Sequence, residues 1–130
     1  MHNPPLSTRG TFVVDHLDSS VLATLQDVMD AEYPVLLDTF LTDSEERLCL
    51  LKTACRSGQA EQLRQAAHSF KGSCSNMGAT LLAELCRELE ETARLEQLEA
   101  APGLIERIER EFAIVRILYR AERQRWGGPG

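Results

Sequence analysis

The sequence predicts an all-α fold: an up-and-down antiparallel four-helix bundle with an additional short N-terminal helix. Three observations predict it. Apolar residues recur at steps of three and four from Val21 to Tyr119, the spacing that lines one face of a helix. Almost nothing alternates as a strand does, and the β-leaning patch Thr11–Val14 is too short to build on. The breaks between periodic segments are short, which makes successive helices antiparallel neighbours.

Each element has its own signals. The first helix starts near Asp18, Ser19 and Ser20, all good N-cap residues. Its apolar positions are Val21, Leu22, Leu25, Val28 and Met29, and it is expected to cap one end of the bundle. A break near Tyr33–Pro34 suits a new helix with proline in its first turn. That second helix carries Leu37, Leu41, Leu48, Leu51 and Cys55, and Ser57–Gly58 ends it. The third runs from about Gln59 to Met77, with Leu63, Ala67, Phe70, Cys74 and Met77 inward and Gly78 as a stop. The fourth runs from about Ala79 to Leu95. Leu82, Leu85, Leu89 and Thr92 point to the core, and Glu84, Arg87, Glu88 and Glu91 to water. A linker, Leu98–Gly103, contains Pro102. The last helix presents Ile105, Ile108, Phe112, Val115 and Tyr119. Residues 1–14 read as a flexible N-terminus, 15–125 as one helical domain and 126–130 as a flexible tail, with Trp126 as tail packing.

Composition narrows the function classes. With 130 residues, 43% of them hydrophobic, the chain can bury a core as a single domain without disulfides or metals. A net charge of −6 argues against nucleic-acid binding, which needs a basic stripe, and against a polybasic membrane anchor. No signal-peptide run or spanning apolar run occurs, so a reduced cytoplasm is the expected location. Cys49, Cys55, Cys74 and Cys86 form no C-x-x-C pair or zinc spacing and read as small core hydrophobes. His2 and His16 read as incidental.

One helix face stands apart. His68 is rotated about 100° from the inward Ala67 and shares a polar face with Arg64, Gln65, Lys71, Gly72 and Ser75. Helical side chains lean toward the N-terminus, so a side chain at 72 would lie over the imidazole. Glycine there costs about 1 kcal/mol against alanine, but it leaves the ring edge clear for a second protein. Lys71, three residues on, places a positive charge beside anything anionic on the ring. A neutral imidazole is a competent nucleophile near pH 7. The group suits a histidine that takes a phosphoryl group from one protein and gives it to another. No base, orienting acid or oxyanion hole is visible near His68 in the sequence, and no G-x-x-x-x-G-K-[ST] loop holds ATP. The expectation is a transfer protein without catalytic turnover of its own.

The stretch AHSFKGSCSNMGATLLAELCRELE, Ala67 to Glu90, resembles the signature of histidine-containing phosphotransfer (HPt) domains. The matching positions are His68, Lys71, Gly72, Gly78, Ala79, Leu82, Leu85, Cys86, Leu89 and Glu90. Helix count and lengths from about Asp15 to Ala121 also resemble the family. Phe70 stands where the family often has leucine, and Cys74 where a small residue is common.

The resemblance implies a phosphorelay intermediate. It would accept a phosphoryl group on His68 from a receiver-domain aspartate of a hybrid sensor kinase, then pass it to a response-regulator receiver. It implies Lys71 as the phosphate-stabilising residue, Gly72 as steric clearance, no cofactor on this chain, and Mg2+ in the partner receiver. A free-standing, monomeric relay protein is expected. Arg64, Gln65, Ser75, Asn76 and Met77 are candidate partner contacts, with Leu36 and Phe40 as further apolar candidates. For Ser75 and Asn76 a solvated helix end is the equal alternative. The competing function is a non-catalytic helical module that binds and inhibits a receiver or kinase domain.

Overall fold

The computed structural model describes residues 16–127. The expected N-terminal segment 1–14 and the last three tail residues lie outside the described range. The elements are α1 (Ser19–Met29), a 3-10 turn (Asp30–Glu32), α2 (Tyr33–Arg56), α3 (Ala60–Asn76), α4 (Thr80–Arg94), a second 3-10 turn (Leu98–Ala100) and α5 (Ala101–Gly127). Among the described residues there is no strand.

Asp18 caps α1: its carboxylate accepts from the Ser20 amide at 2.9 Å and the Ser20 hydroxyl at 2.7 Å, which satisfies donors the helix start leaves free. The helix ends where Asp30 takes a positive φ of 48° with ψ −116°, outside the left-handed helical region and in backbone space that favours glycine. Pro34 sits in the first turn of α2, where its missing N–H costs nothing.

Helices α2 to α5 form a ring of antiparallel neighbours. Pairs across α2 and α5 show the direction: Asp38 holds Arg123 at 3.0 Å, Glu45 holds Arg116 at 3.3 Å and Lys52 meets Glu109. As numbers rise on α2 they fall on α5. The inward leucines of α2 and α4, Leu63, Ala67, Phe70 and Cys74 of α3, and the apolar stripe of α5 are all buried together. Each fully buried Leu or Phe contributes about 1.5–3 kcal/mol, so this stripe carries the stability.

Several expectations are corrected. Of the apolar positions on α1 only Leu22 is buried, and Val28 is 73% exposed, because a short helix laid against the turn between α3 and α4 has one line of contact rather than a bundle face. Pro102 and Gly103 belong to the first turn of α5, not to a linker. Trp126, expected in the tail, lies within α5 with its ring edge-on to Tyr33 at 5.3 Å. Cys74 and Cys86 are buried, but Cys49 is exposed and Cys55 half-buried, so the cysteines are not uniformly core residues. Burial pushes the Cys74 thiol up, and a hydrogen bond with Cys86 adds to the effect.

Gly78 is more than a stop. Its φ is +78°, a region that favours glycine, and a Cβ there would meet Val21 at 3.1 Å. Its carbonyl accepts from the Asp18 amide at 2.7 Å. The glycine therefore turns the chain from α3 into α4 and seats α1.

Candidate functional site

Helix α3 presents His68 with 61% of its side chain exposed. The inward stripe of Ala67, Phe70 and Cys74, all fully buried, fixes that rotation of the helix. Nothing lies within 4 Å of a Cβ built on Gly72. The space above the ring is open.

The ring is anchored from the next helix. His68 Nδ1 lies 2.9 Å from Glu90 Oε2, and Lys71 Nζ donates to Glu90 Oε1 at 3.0 Å. Only 19% of the Glu90 side chain is exposed. Its partial burial raises the carboxyl's pKa, but donation from Lys71 and His68 outweighs this and holds it below its ordinary value. Glu90 is thus ionised near pH 7 and accepts only. Nδ1 must then carry the proton, which leaves the lone pair of a neutral ring on Nε2. Nε2, the nitrogen turned away from Glu90, can act as a nucleophile.

Glu90 stands in the matched motif without an expected role, and it corrects the expectation that no orienting acid lies near His68. A signal existed. His68 lies ten residues before Gly78 and Glu90 twelve after it, so an antiparallel hairpin turning at Gly78 brings them level. Reading it requires knowing that the two helices pair there and which face α4 turns to α3.

The other candidates divide. Ser75 lines a recess of about 340 Å³ with Asp18, Lys71, Thr80 and Arg87. Asn76 borders another with Val21, Thr24 and Leu25 of α1. Arg64 is turned toward the start of α3, where Nε and Nη2 donate to Glu61 at 2.9 and 2.7 Å, and Gln65 donates to the same carboxylate at 3.0 Å. Arg64 first, then Gln65, pushes the Glu61 carboxyl down to about 2. Met77 is corrected: its side chain is 5% exposed and belongs to the core, while its carbonyl accepts from the buried Tyr119 hydroxyl. Phe40 is also buried and edge-on to Tyr119, so neither side chain offers a docking surface. Leu36 is half-buried against the core.

His16 is not incidental. Its Nδ1 lies 2.6 Å from Oε2 of Glu111, a carboxylate only 5% exposed. His2 lies outside the described residues. Among those residues no group of three or more His, Cys, Asp and Glu is placed to hold a metal ion, and no helix is long and apolar enough to cross a membrane.

The family model of the Hpt domain matches residues 35–118, a span that contains His68, Lys71, Gly72 and Glu90. The chain belongs to the Hpt family. It is a histidine phosphotransfer intermediate of phosphorelays. Among solved structures, it is similar to histidine-containing phosphotransfer protein B (HptB) from Pseudomonas aeruginosa PAO1, with 63% identity and a TM-score of 0.85 over 88% of this chain and 99% of that one. Among curated proteins, it is similar to the phosphorelay protein LuxU of Vibrio vulnificus strains YJ016 and CMCP6, each 28% identical over 97 residues, or 71% of this chain and 84% of the relative. The helical bundle is thus the Hpt bundle, and partners of this Hpt protein are receiver or kinase domains of two-component systems.

Proposed function

We propose that His68 is the phosphoacceptor, loaded by the receiver domain of a hybrid sensor kinase and unloaded by the receiver of a response regulator. The observation that carries this reading is an exposed imidazole whose Nδ1 is held by Glu90 while the edge beside Gly72 is open. In the transfer, the Nε2 lone pair forms a bond to phosphorus as the bond to the aspartate oxygen breaks, and the aspartate leaves as a carboxylate. The proton on Nδ1 stays in place. The ring becomes cationic, and the Glu90 carboxylate opposite it stabilises that charge. Lys71 already sits beside the ring and can turn from Glu90 to a phosphoryl oxygen. A receiver holding Mg2+ would supply charge neutralisation to the phosphoryl oxygens. The second receiver reverses the step, and nothing is consumed on this chain. The protein then acts in the cytoplasm as a monomeric carrier rather than an enzyme with its own turnover.

The test is transfer from a receiver carrying labelled phosphoryl on its aspartate. Wild type should take up acid-labile, base-stable label, and His68→Gln should take up none. Label on His68→Gln at the wild-type level would overturn the assignment. Partner binding retained by His68→Gln, with no labelling of wild type, would favour the inhibitory module instead.

A further inference from the structure

His68 meets Glu90 of α4, which also holds Lys71, and the residue after it, Ser69, meets Arg47 of α2. Arg47 reaches across to α3, where Nη1 donates to the hydroxyl of Ser69, the residue next to His68. Its Nε is enclosed and has no acceptor. The cations around the site otherwise hold carboxylates: Arg64 holds Glu61, Lys71 holds Glu90 and Arg87 holds Glu84. Among the described residues, Arg47 has only a serine hydroxyl. A guanidinium offers five donors in a rigid fork that matches a carboxylate. An orphaned donor beside a reaction site asks for an explanation.

We propose that Arg47 is a specificity-determining residue for the receiver: on docking, its guanidinium exchanges the Ser69 hydroxyl for a carboxylate on the rim of the receiver's active site. This rests on His68 being the phosphoacceptor. A receiver that holds Mg2+ beside its aspartate does so with oxygen ligands, chiefly carboxylates, so acidic groups arrive at His68 with it. Gly72 leaves the approach open. The half-buried setting of Arg47 limits competition from water, which strengthens a charge-assisted hydrogen bond. Lys71 serves the phosphoryl group from one side, and Arg47 reads the partner from the other.

Two phosphodonors separate docking from chemistry. Phosphoramidate, a small donor that releases ammonia as its phosphoryl group moves to the histidine, needs no receiver surface. Arg47→Gln should be labelled by phosphoramidate at the wild-type rate, and its phosphohistidine should last as long. From a phosphorylated receiver its kcat/KM should fall about tenfold, the lower end for one hydrogen bond to a charged group, mostly through KM and with a shallower dependence on salt. Arg47→Lys should recover part of the loss. Ser69→Ala, which removes only the resting partner, should transfer like wild type, and all three variants should melt near wild type.

Unchanged receiver kinetics in Arg47→Gln would overturn the proposal while His68 still labels. Equal slowing with both donors would overturn it by placing Arg47 at the chemistry, and the same loss in Ser69→Ala would make it a structural tie. If wild type takes no label at His68 from either donor, the phosphoacceptor reading fails, and this one with it.

Discussion

His68 and His16 each meet a glutamate through Nδ1, at 2.9 Å and 2.6 Å, yet the two regions differ in which partner is exposed and what surrounds it. At His68 the ring is 61% exposed, the carboxylate is shared with Lys71, and Gly72 leaves the approach clear. At His16 the ring is 29% exposed and its partner Glu111 is buried on α5. A histidine–carboxylate pair therefore does not mark the reactive ring by itself. One pair orients an exposed ring, whereas the other ties the segment before α1 to the bundle.

The largest expected effect breaks the comparison at the two rings. His68→Gln should abolish labelling by a phosphorylated receiver, while His16→Gln should label like wild type. Equal labelling of the two variants would remove the distinction. Next comes the carboxylate. Glu90→Ala should slow transfer on the order of tenfold or more, since it removes a charge-assisted hydrogen bond that sets the tautomer and opposes the ring's developing charge. Glu111→Met should leave the rate unchanged, as single-turnover quench measurements would show.

Gly72 sharpens the argument by separating stability from access. Gly72→Ala should raise stability by about 0.5–1 kcal/mol in denaturant melts, because the added methyl meets nothing. Gly72→Phe should keep the fold but slow transfer from a receiver several-fold, with phosphoramidate labelling less affected. A Gly72→Phe protein that accepts from receivers at full rate would remove the clearance role. At the other pair, His16→Ala should cost about 1–2 kcal/mol, because it leaves the buried Glu111 carboxylate short of a donor.

The smallest effect is in pH. The Glu90 carboxyl lies below its ordinary value. Its pairing therefore contributes stability above that ordinary value and loses it as pH falls through the lower folded one. The gap in Tm between wild type and Glu90→Gln should close in acid, and a gap that widens there would contradict the ionised carboxylate.

Much of this molecule is legible in local spacing. The stripe Leu63, Ala67, Phe70 and Cys74 sets the rotation of α3, and that rotation alone turns His68, Lys71 and Gly72 outward. The same reasoning failed where two elements meet. Spacing places Met77 both on the core stripe and at the helix end among partner contacts, and tertiary packing puts its side chain inside. Leu25 and Val28 have helical spacing on α1, but nothing in that spacing says that so short a helix finds a single line of contact. The contacts of Glu90 with His68 and of Arg47 with Ser69 are not legible in local spacing, because each crosses a helix boundary at a separation of 22 residues.

The sequence by itself determined the helices, their inward faces, and the outward placement of the histidine, lysine and glycine. Periodicity and side-chain direction are properties of one helix, and they need no neighbour. Tertiary structure alone decided which carboxylate holds Nδ1, which guanidinium meets Ser69, and which histidine is tied to a buried carboxylate. Those pairings depend on the register and facing of packed helices, which the summed burial of the whole core selects.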